Sequence, residues 1–142
     1  MKASELKRSS EQAEQEVLFE WLGIMSRSFP ELKTAIHIPN EGKRSISNAM
    51  ALKRAGLRAG APDVFIPVPN EHYHGLFIEM KYGKNKPTKE QKEYLNAVSN
   101  LGYKTAVCYS ADKAIKIVTD YLSTYKRKEN HYDNKTKSNK QN

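Results

Sequence analysis

The chain lacks several features that would assign it to a familiar class. Its 142 residues include one cysteine, Cys108, which excludes an internal disulfide framework and a cysteine-rich zinc site. No apolar run approaches the roughly 20 residues needed to cross a bilayer. Residues 1–5 contain no apolar stretch typical of a secretory signal. We therefore expect a soluble, intracellular protein, whose length suits one compact domain.

Positive charge, by contrast, is in excess. Lysine and arginine total 24 against 16 acidic residues, which gives a formal net charge of +8. Inside a cell the usual polyanion for such a protein is nucleic acid. About half of the excess lies in residues 126–142, which hold almost no apolar side chain and are predicted to be a disordered basic tail. The domain itself is predicted to cover residues 1–125.

The hydrophobic spacing predicts an α/β domain in the order α-β-α-β-β-α-β-α, a mixed four-stranded sheet flanked by helices. The first two helices are expected at 10–27 and 46–55. A capping box at Thr88 to Gln91 and a cap at Ser110 mark the starts of the other two. Strands are expected at 34–38, 63–66, 76–81 and 104–109. The short connector between the second and third strands predicts an antiparallel hairpin.

Two acids and a lysine lie where the hydrophobic pattern would not place them. Asp63 begins one buried strand, and Glu79 and Lys81 interrupt the end of the next. Glu79 and Lys81 share a face because they are two residues apart, and a hairpin would bring Asp63 beside them. Buried charges are costly unless they are paired or hold a metal. Two facing carboxylates suit a hard divalent cation such as Mg²⁺, and the lysine suits a phosphate oxygen or a water.

This pattern resembles the PD-(D/E)XK nuclease superfamily, with Pro62-Asp63 followed by Glu79-Met80-Lys81. Further stretches make it similar to the small stand-alone, phage-type members of the VRR-NUC (virus-type replication-repair nuclease) family. The resemblance covers roughly residues 10–122 and includes the following segments: Glu14-Gln15, Ile38-Pro39-Asn40, Gly42-Lys43-Arg44, Gly60-Ala61-Pro62-Asp63, Gln91 and Gly102-Tyr103.

The resemblance implies a role for each matching residue. Asp63, Glu79 and the main-chain carbonyl of Met80 would coordinate the metal, Lys81 would orient the attacking water, and Gln91 would support the site. The helical acid of the family is similar in position to Glu14, with Glu11, on nearly the same helix face, as the second choice.

The family likeness also implies an activity and its context. The expected activity is that of a Mg²⁺- or Mn²⁺-dependent DNA endonuclease, selective for branched, flap or junction DNA in replication or repair. A homodimer is expected, in the cytoplasm of a bacterium or of a phage-infected host.

Residues 42–62 contain five basic side chains and no acid: Lys43, Arg44, Lys53, Arg54 and Arg58. We interpret this segment as an arm that contacts DNA phosphates, since no base-reading motif is evident. The alternative is a solvated basic surface without a ligand.

Structural interpretations compete with several of these assignments. Gln91 is explained by its capping box alone, and Glu14 by the helix macrodipole. His72 and His74 have a zinc-like spacing but no evident third ligand. His37 is expected to be a packed or edge residue that borders the site. Four tyrosines lie at the ends of predicted elements, and we interpret them as packing residues and not as stacking platforms for bases: Tyr82, Tyr94, Tyr103 and Tyr109.

Two other function classes stay open at this point. One is a nucleic-acid-binding module that keeps the nuclease fold without catalysis. The other is a small structural RNA-binding protein, in which the buried acids would be accidental.

Overall fold

The structure, a computed structural model, describes residues 10–39 and 46–128. The helices are α1 (Ser10–Met25), α2 (Ile46–Arg54), α3 (Lys89–Asn100) and α4 (Ala111–Leu122), and the strands are β1 (Ile36–His37), β2 (Val64–Ile66), β3 (Leu76–Met80) and β4 (Lys104–Cys108). These elements confirm the predicted α/β order. None of the helices in the described ranges is long and apolar enough to span a membrane.

The first strand is shorter than predicted. A 3₁₀ turn, Pro30–Thr34, precedes it and includes Thr34, the first residue of the predicted strand. Pro30 favours this turn because its fixed φ suits the first helical position, where no backbone N–H is needed. The pairing of β1 is consequently confined to Ile36 and His37.

The sheet has the order β1-β2-β3-β4. The β1–β2 and β2–β3 pairs are antiparallel, which confirms the hairpin, and β3 and β4 are parallel. The sheet is therefore mixed, and β3 lies between a hairpin partner and a crossover partner. Every residue of β3 is buried.

The two faces of β3 pack against different helices. Leu76, Ile78 and Met80 join the main core with residues of α1 and α4 such as Leu18 and Val118. The intervening residue Phe77 faces the other way and stacks on Phe65, with Tyr94 and Tyr103 at its edges. Because side chains alternate along a strand, Glu79 follows Phe77 onto this second face, beside α3.

Helices α3 and α4 begin where the sequence predicts. Thr88 accepts a hydrogen bond from the Gln91 N–H and its own N–H donates to the Gln91 side chain, so the capping box is complete. Ser110 accepts from the Lys113 N–H in the same manner. Each cap satisfies backbone donors that the first helical turn leaves unpaired.

The first residues of the predicted tail are held against the domain. Arg127 forms two hydrogen bonds with the Glu31 carboxylate, at 2.7 and 3.1 Å, and lies over the Phe29 ring. Residues 129–142 lie outside the described part of the chain. The predicted boundary at residue 125 and the disorder beyond it stay predictions.

Gly60 sets the distance between the β2 strand and α3. It has φ +79, and a Cβ built there would overlap the Glu90 carbonyl and lie 2.7 Å from the Gln91 nitrogen. Only a residue without a side chain permits this approach. The start of α3 therefore packs directly against Gly60, which precedes Asp63 by three residues in the chain.

Gly60→Ala and Gly56→Ala should therefore differ in stability. Gly56 also has positive φ, +109, but nothing lies near its Cβ position. Both changes should cost about 1–2 kcal/mol for the backbone conformation, and Gly60→Ala a further 1–3 kcal/mol or so for overlap with the α3 backbone. Urea unfolding of the two variants measures the difference, and equal losses would contradict the close approach.

Candidate functional site

The β2–β3 hairpin brings Asp63 and Glu79 together. Val64 pairs with Ile78, so the next position along the register places Asp63 opposite Glu79. The Asp63 carboxylate accepts a hydrogen bond from the Met80 N–H at 2.8 Å, in place of a further ladder bond. Asp63 is 7% exposed and Glu79 1% exposed. Two acids are thus buried side by side at the end of the hairpin, as predicted.

The backbone of Asp63 is anchored by β1. Its carbonyl accepts hydrogen bonds from the Ile38 N–H at 2.7 Å and from His37 Nδ1 at 2.8 Å. Since a carbonyl only accepts, His37 must carry its proton on Nδ1 for this bond. His37 therefore borders the site, as the sequence suggested, and supports the position of Asp63.

Lys81 and α3 compensate part of the buried charge of Glu79. The Lys81 Nζ lies 3.5 Å from Glu79 Oε1, and Lys81 itself is 8% exposed. The Gln91 Nε2 donates to the same oxygen at 2.9 Å. The other oxygen, Oε2, is buried and has no hydrogen-bond partner in the described structure. Oε1 of Glu79 therefore has two compensating donors, whereas Oε2 has none among the described residues.

Gln91 performs two tasks with one side chain. Its Oε1 accepts from the Thr88 N–H at 2.8 Å and completes the capping box, while its Nε2 reaches Glu79. A glutamate would also complete a capping box, but it has no proton to donate to Glu79. The amide is therefore required by the site and not by the cap.

A third acid comes from the start of α1, and it is Glu11. Carboxylate oxygens of Glu11, Asp63 and Glu79 all lie within 4.8 Å of one another. Glu14 is not part of this group, because its Oε2 accepts a hydrogen bond from the Ala111 N–H at 2.6 Å. Glu14 thus joins α1 to the start of α4, one turn away from the acidic cluster.

The three carboxylates fit a divalent cation. Burial, together with the neighbouring Asp63 charge, raises the pKa of Glu79 from 4.5 to about 8, although Lys81 opposes the shift. Hard cations prefer carboxylate oxygens, and Oε2 of Glu79 is one that has no hydrogen-bond partner among the described residues. The donor set lacks the nitrogen and sulfur ligands that zinc favours.

The remaining predicted site residues are the basic side chains proposed to contact DNA. Lys53, Arg54 and Arg58 are exposed, on and just after α2. Lys43 and Arg44 fall in residues 40–45, outside the described ranges. Within those ranges, the group able to hold a metal consists of the three acids, and neither His72 nor His74 belongs to it.

Comparison with known proteins identifies the same kind of domain. The family model of the VRR-NUC domain matches residues 3–112. The chain belongs to the VRR-NUC family. A solved structure described as a VRR_NUC domain protein is 29% identical, with a TM-score of 0.65, and the match covers 79% of this chain and 89% of that one. No curated protein matches the chain.

Membership of the VRR-NUC family makes this a nuclease-type domain. The matched residues include the α1 acids, Asp63, Glu79, Lys81 and Gln91. The family and the acidic group together indicate use of a divalent metal.

The raised pKa of Glu79 predicts how the stability of the metal-free VRR-NUC domain depends on pH. Between pH 4.5 and about 8 the folded protein holds a proton on Glu79 that the unfolded chain releases. The free energy of unfolding must therefore decrease as pH rises through that window, because the folded state binds the proton more tightly than the unfolded chain does. Thermal unfolding in EDTA at pH 5.5 and 8 measures the effect, with Glu79→Gln as the control.

Glu79→Gln carries no titratable proton, so the loss of melting temperature between the two pH values should be smaller in the variant. An equal or larger loss in Glu79→Gln would show that the proton is not held at this carboxyl.

Proposed function

We propose that this VRR-NUC domain is a divalent-metal-dependent endonuclease that hydrolyses DNA phosphodiester bonds. The observation that carries the proposal is the convergence of three carboxylates within 4.8 Å of one another, two of them buried, with Glu79 Oε2 without a hydrogen-bond partner among the described residues. Burying neighbouring acids is costly unless their charge is compensated, and a bound divalent cation would compensate all three carboxylates at once.

Asp63 and Glu79 are the proposed metal ligands from the sheet, with the main-chain carbonyl of Met80 beside them. The Met80 N–H donates to Asp63, and the N–H and C=O of one strand residue point to the same side. The Met80 carbonyl therefore faces the Asp63 side of β3. A bound Mg²⁺ or Mn²⁺ would polarise the scissile phosphate and lower the pKa of a bound water.

The third ligand in the proposal is the acid of α1. The sequence-based choice was Glu14, with Glu11 second, and the geometry favours Glu11 because its carboxylate lies with those of Asp63 and Glu79. Glu14 is already engaged by the Ala111 N–H. We therefore assign ligation to Glu11 and the orientation of α1 to Glu14.

Lys81 is the proposed positioning group for the attacking water. Its ammonium lies 3.5 Å from Glu79 Oε1 and is nearly buried, so it is held at the metal-binding carboxylate. From there it can hold a water against the phosphate or stabilise negative charge as the bond breaks. Glu79 must release its proton to ligate a cation, and the nearby ammonium favours that ionised form.

The excess positive charge supports DNA as the substrate. Three exposed basic side chains precede Asp63 in the chain: Lys53, Arg54 and Arg58. Contacts between such side chains and phosphates position the DNA backbone without reading its bases. Selectivity for branched DNA and a homodimer that presents two such sites are part of the same proposal. A role in replication or repair follows from that substrate class.

The competing function is a binding module that has lost catalysis. Asp63, Glu79 and Lys81 are all present and buried, and Gln91 donates to Glu79. A module that only binds DNA gains nothing from this costly arrangement. The nuclease is therefore the better supported function.

The assignment of the α1 acid predicts different results for two matched substitutions. Glu14→Gln keeps an oxygen that accepts from Ala111, so it should leave metal-dependent activity within a few-fold of the parent. Glu11→Gln removes charge at the metal and should weaken metal binding by about tenfold or more, since even outer partners of metal ligands are worth about 10–100-fold.

The rise in melting temperature on titration with Mn²⁺ measures binding independently of cleavage. If Glu14→Gln weakens binding more than Glu11→Gln does, the assignment is reversed, and an equal loss in both would contradict a ligand role for Glu11 alone.

The proposed chemistry predicts metal-dependent cleavage that needs Lys81. Labelled duplex, flap, four-way junction and single-stranded DNA are incubated with Mg²⁺, Mn²⁺ or EDTA. We expect cleavage only with metal, reduced about 100-fold or more in Lys81→Ala and in Lys81→Met, which preserves the packing volume.

Lys116→Ala is the matched control, because Lys116 is an exposed lysine on α4 whose nearby partner is Asp120 at 3.2 Å. Salt-sensitive binding without cleavage of any substrate would instead support the binding module.

A further inference from the structure

Two tyrosines differ from all others that the structure describes. Five of the seven described tyrosines take part in contacts with other aromatic rings: Tyr73, Tyr94, Tyr103, Tyr121 and Tyr125. Tyr82 and Tyr109 have no such ring contact among the described residues, and they are 48% and 41% exposed. The expectation that they are packing residues at element ends is therefore not met by Tyr82 and Tyr109.

Tyr109 lies next to the acidic site in the sheet register. In the parallel β3–β4 pair, Glu79 is opposite Val107 and Met80 opposite Cys108. The Lys81 N–H donates to the Cys108 carbonyl at 2.9 Å, so the pairing continues and places Tyr109 opposite Lys81. Tyr82 directly follows Lys81, and because successive side chains of an extended chain alternate, it is not expected to share the face of Lys81.

Tyr109 also shares a face with the charged groups. Directly paired residues of adjacent strands point to the same side of a sheet, so Val107 lies beside Glu79 and Tyr109 beside Lys81. Val107 is 37% exposed as well. An accessible apolar strip on β4 thus borders the buried acids and lysine.

An accessible aromatic ring next to a phosphodiester site suits one kind of group above others. Nucleobases stack on aromatic side chains whatever their sequence, because every base has a π-face. In a continuous duplex the faces of internal bases are already covered by their neighbours. Only an unpaired or frayed base can place its face on a protein ring while its own phosphate lies at Lys81.

We propose that Tyr109 forms a stacking subsite for an unpaired nucleobase adjacent to the scissile phosphate. This inference rests on the proposed nuclease function and specifies its substrate as DNA that is single-stranded or frayed at the cleavage point. The subsite binds the base, while Asp63, Glu79 and Lys81 act on the phosphate next to it.

The test compares strands that differ only in their bases. Fluorescence anisotropy, in EDTA so that the strands stay intact, measures the affinity for labelled oligothymidylate and for an abasic strand of equal length. Tyr109→Ala should weaken binding of oligothymidylate about tenfold and leave the abasic strand unchanged. Tyr109→Phe keeps the ring and should bind both strands like the parent protein.

Leu101→Ala serves as the control variant. Leu101 is 67% exposed and precedes the start of β4, at the opposite end of the strand from Tyr109. Leu101→Ala also removes exposed apolar surface, but away from the site, so the affinity of the protein for either strand should not change.

Three results would overturn the subsite. An equal loss for both strands in Tyr109→Ala would indicate phosphate contact or altered structure. A Tyr109→Phe variant as weak as Tyr109→Ala would assign the effect to the hydroxyl. A changed mass of Tyr109→Ala in size-exclusion chromatography with light scattering would place the ring in an interface between copies of the chain.

Failure of the subsite and failure of the nuclease are distinguishable. Cleavage of the DNA panel with Mn²⁺ reports the nuclease, whereas the base-dependent change in affinity is measured without metal. Cleavage with no base-dependent effect of Tyr109 rejects the subsite alone, and the reverse pattern rejects the nuclease alone.

Discussion

The burial of Glu79 is the constraint on which the rest of this structure depends. An acid at 1% exposure next to a second buried acid is destabilising unless groups around it compensate the charge. Lys81 and Gln91 both contact Oε1, and Oε2 is buried without a hydrogen-bond partner among the described residues. A bound cation would satisfy that oxygen, so the burial of Glu79 and the proposed chemistry depend on the same group of carboxylates.

Ordinary elements of secondary structure position this site. The capping box of α3 holds the Gln91 side chain in a fixed orientation, and its remaining N–H group is thereby aimed at Glu79. Gly60 allows the start of α3 to approach the segment that leads into Asp63. At the other helix layer, Glu14 ties α1 to the first residue of α4. Contacts that stabilise helix ends therefore also determine where the acids point.

Much of the fold and part of the site follow from local patterns. The capping box at Thr88, the cap at Ser110 and the hairpin between β2 and β3 depend on residues close together in the chain, and all three are confirmed. The 3₁₀ turn at Pro30–Thr34 was not predicted, and its last residue, Thr34, was assigned to the start of the first strand. The accessibility of Tyr109 was missed because exposure of a ring depends on which neighbours the fold brings to it.

By itself, the sequence determined the two elements that carry Asp63 and Glu79 and the face that Glu79 shares with Lys81, because strand alternation and hairpin length are local properties. Only the tertiary structure decided which acid of α1 joins them. Glu11 and Glu14 lie on nearly the same helix face, and the choice depends on a hydrogen bond between groups 97 residues apart in the chain. No short-range pattern encodes such a contact, since it exists only after α1, α4 and the sheet have packed together.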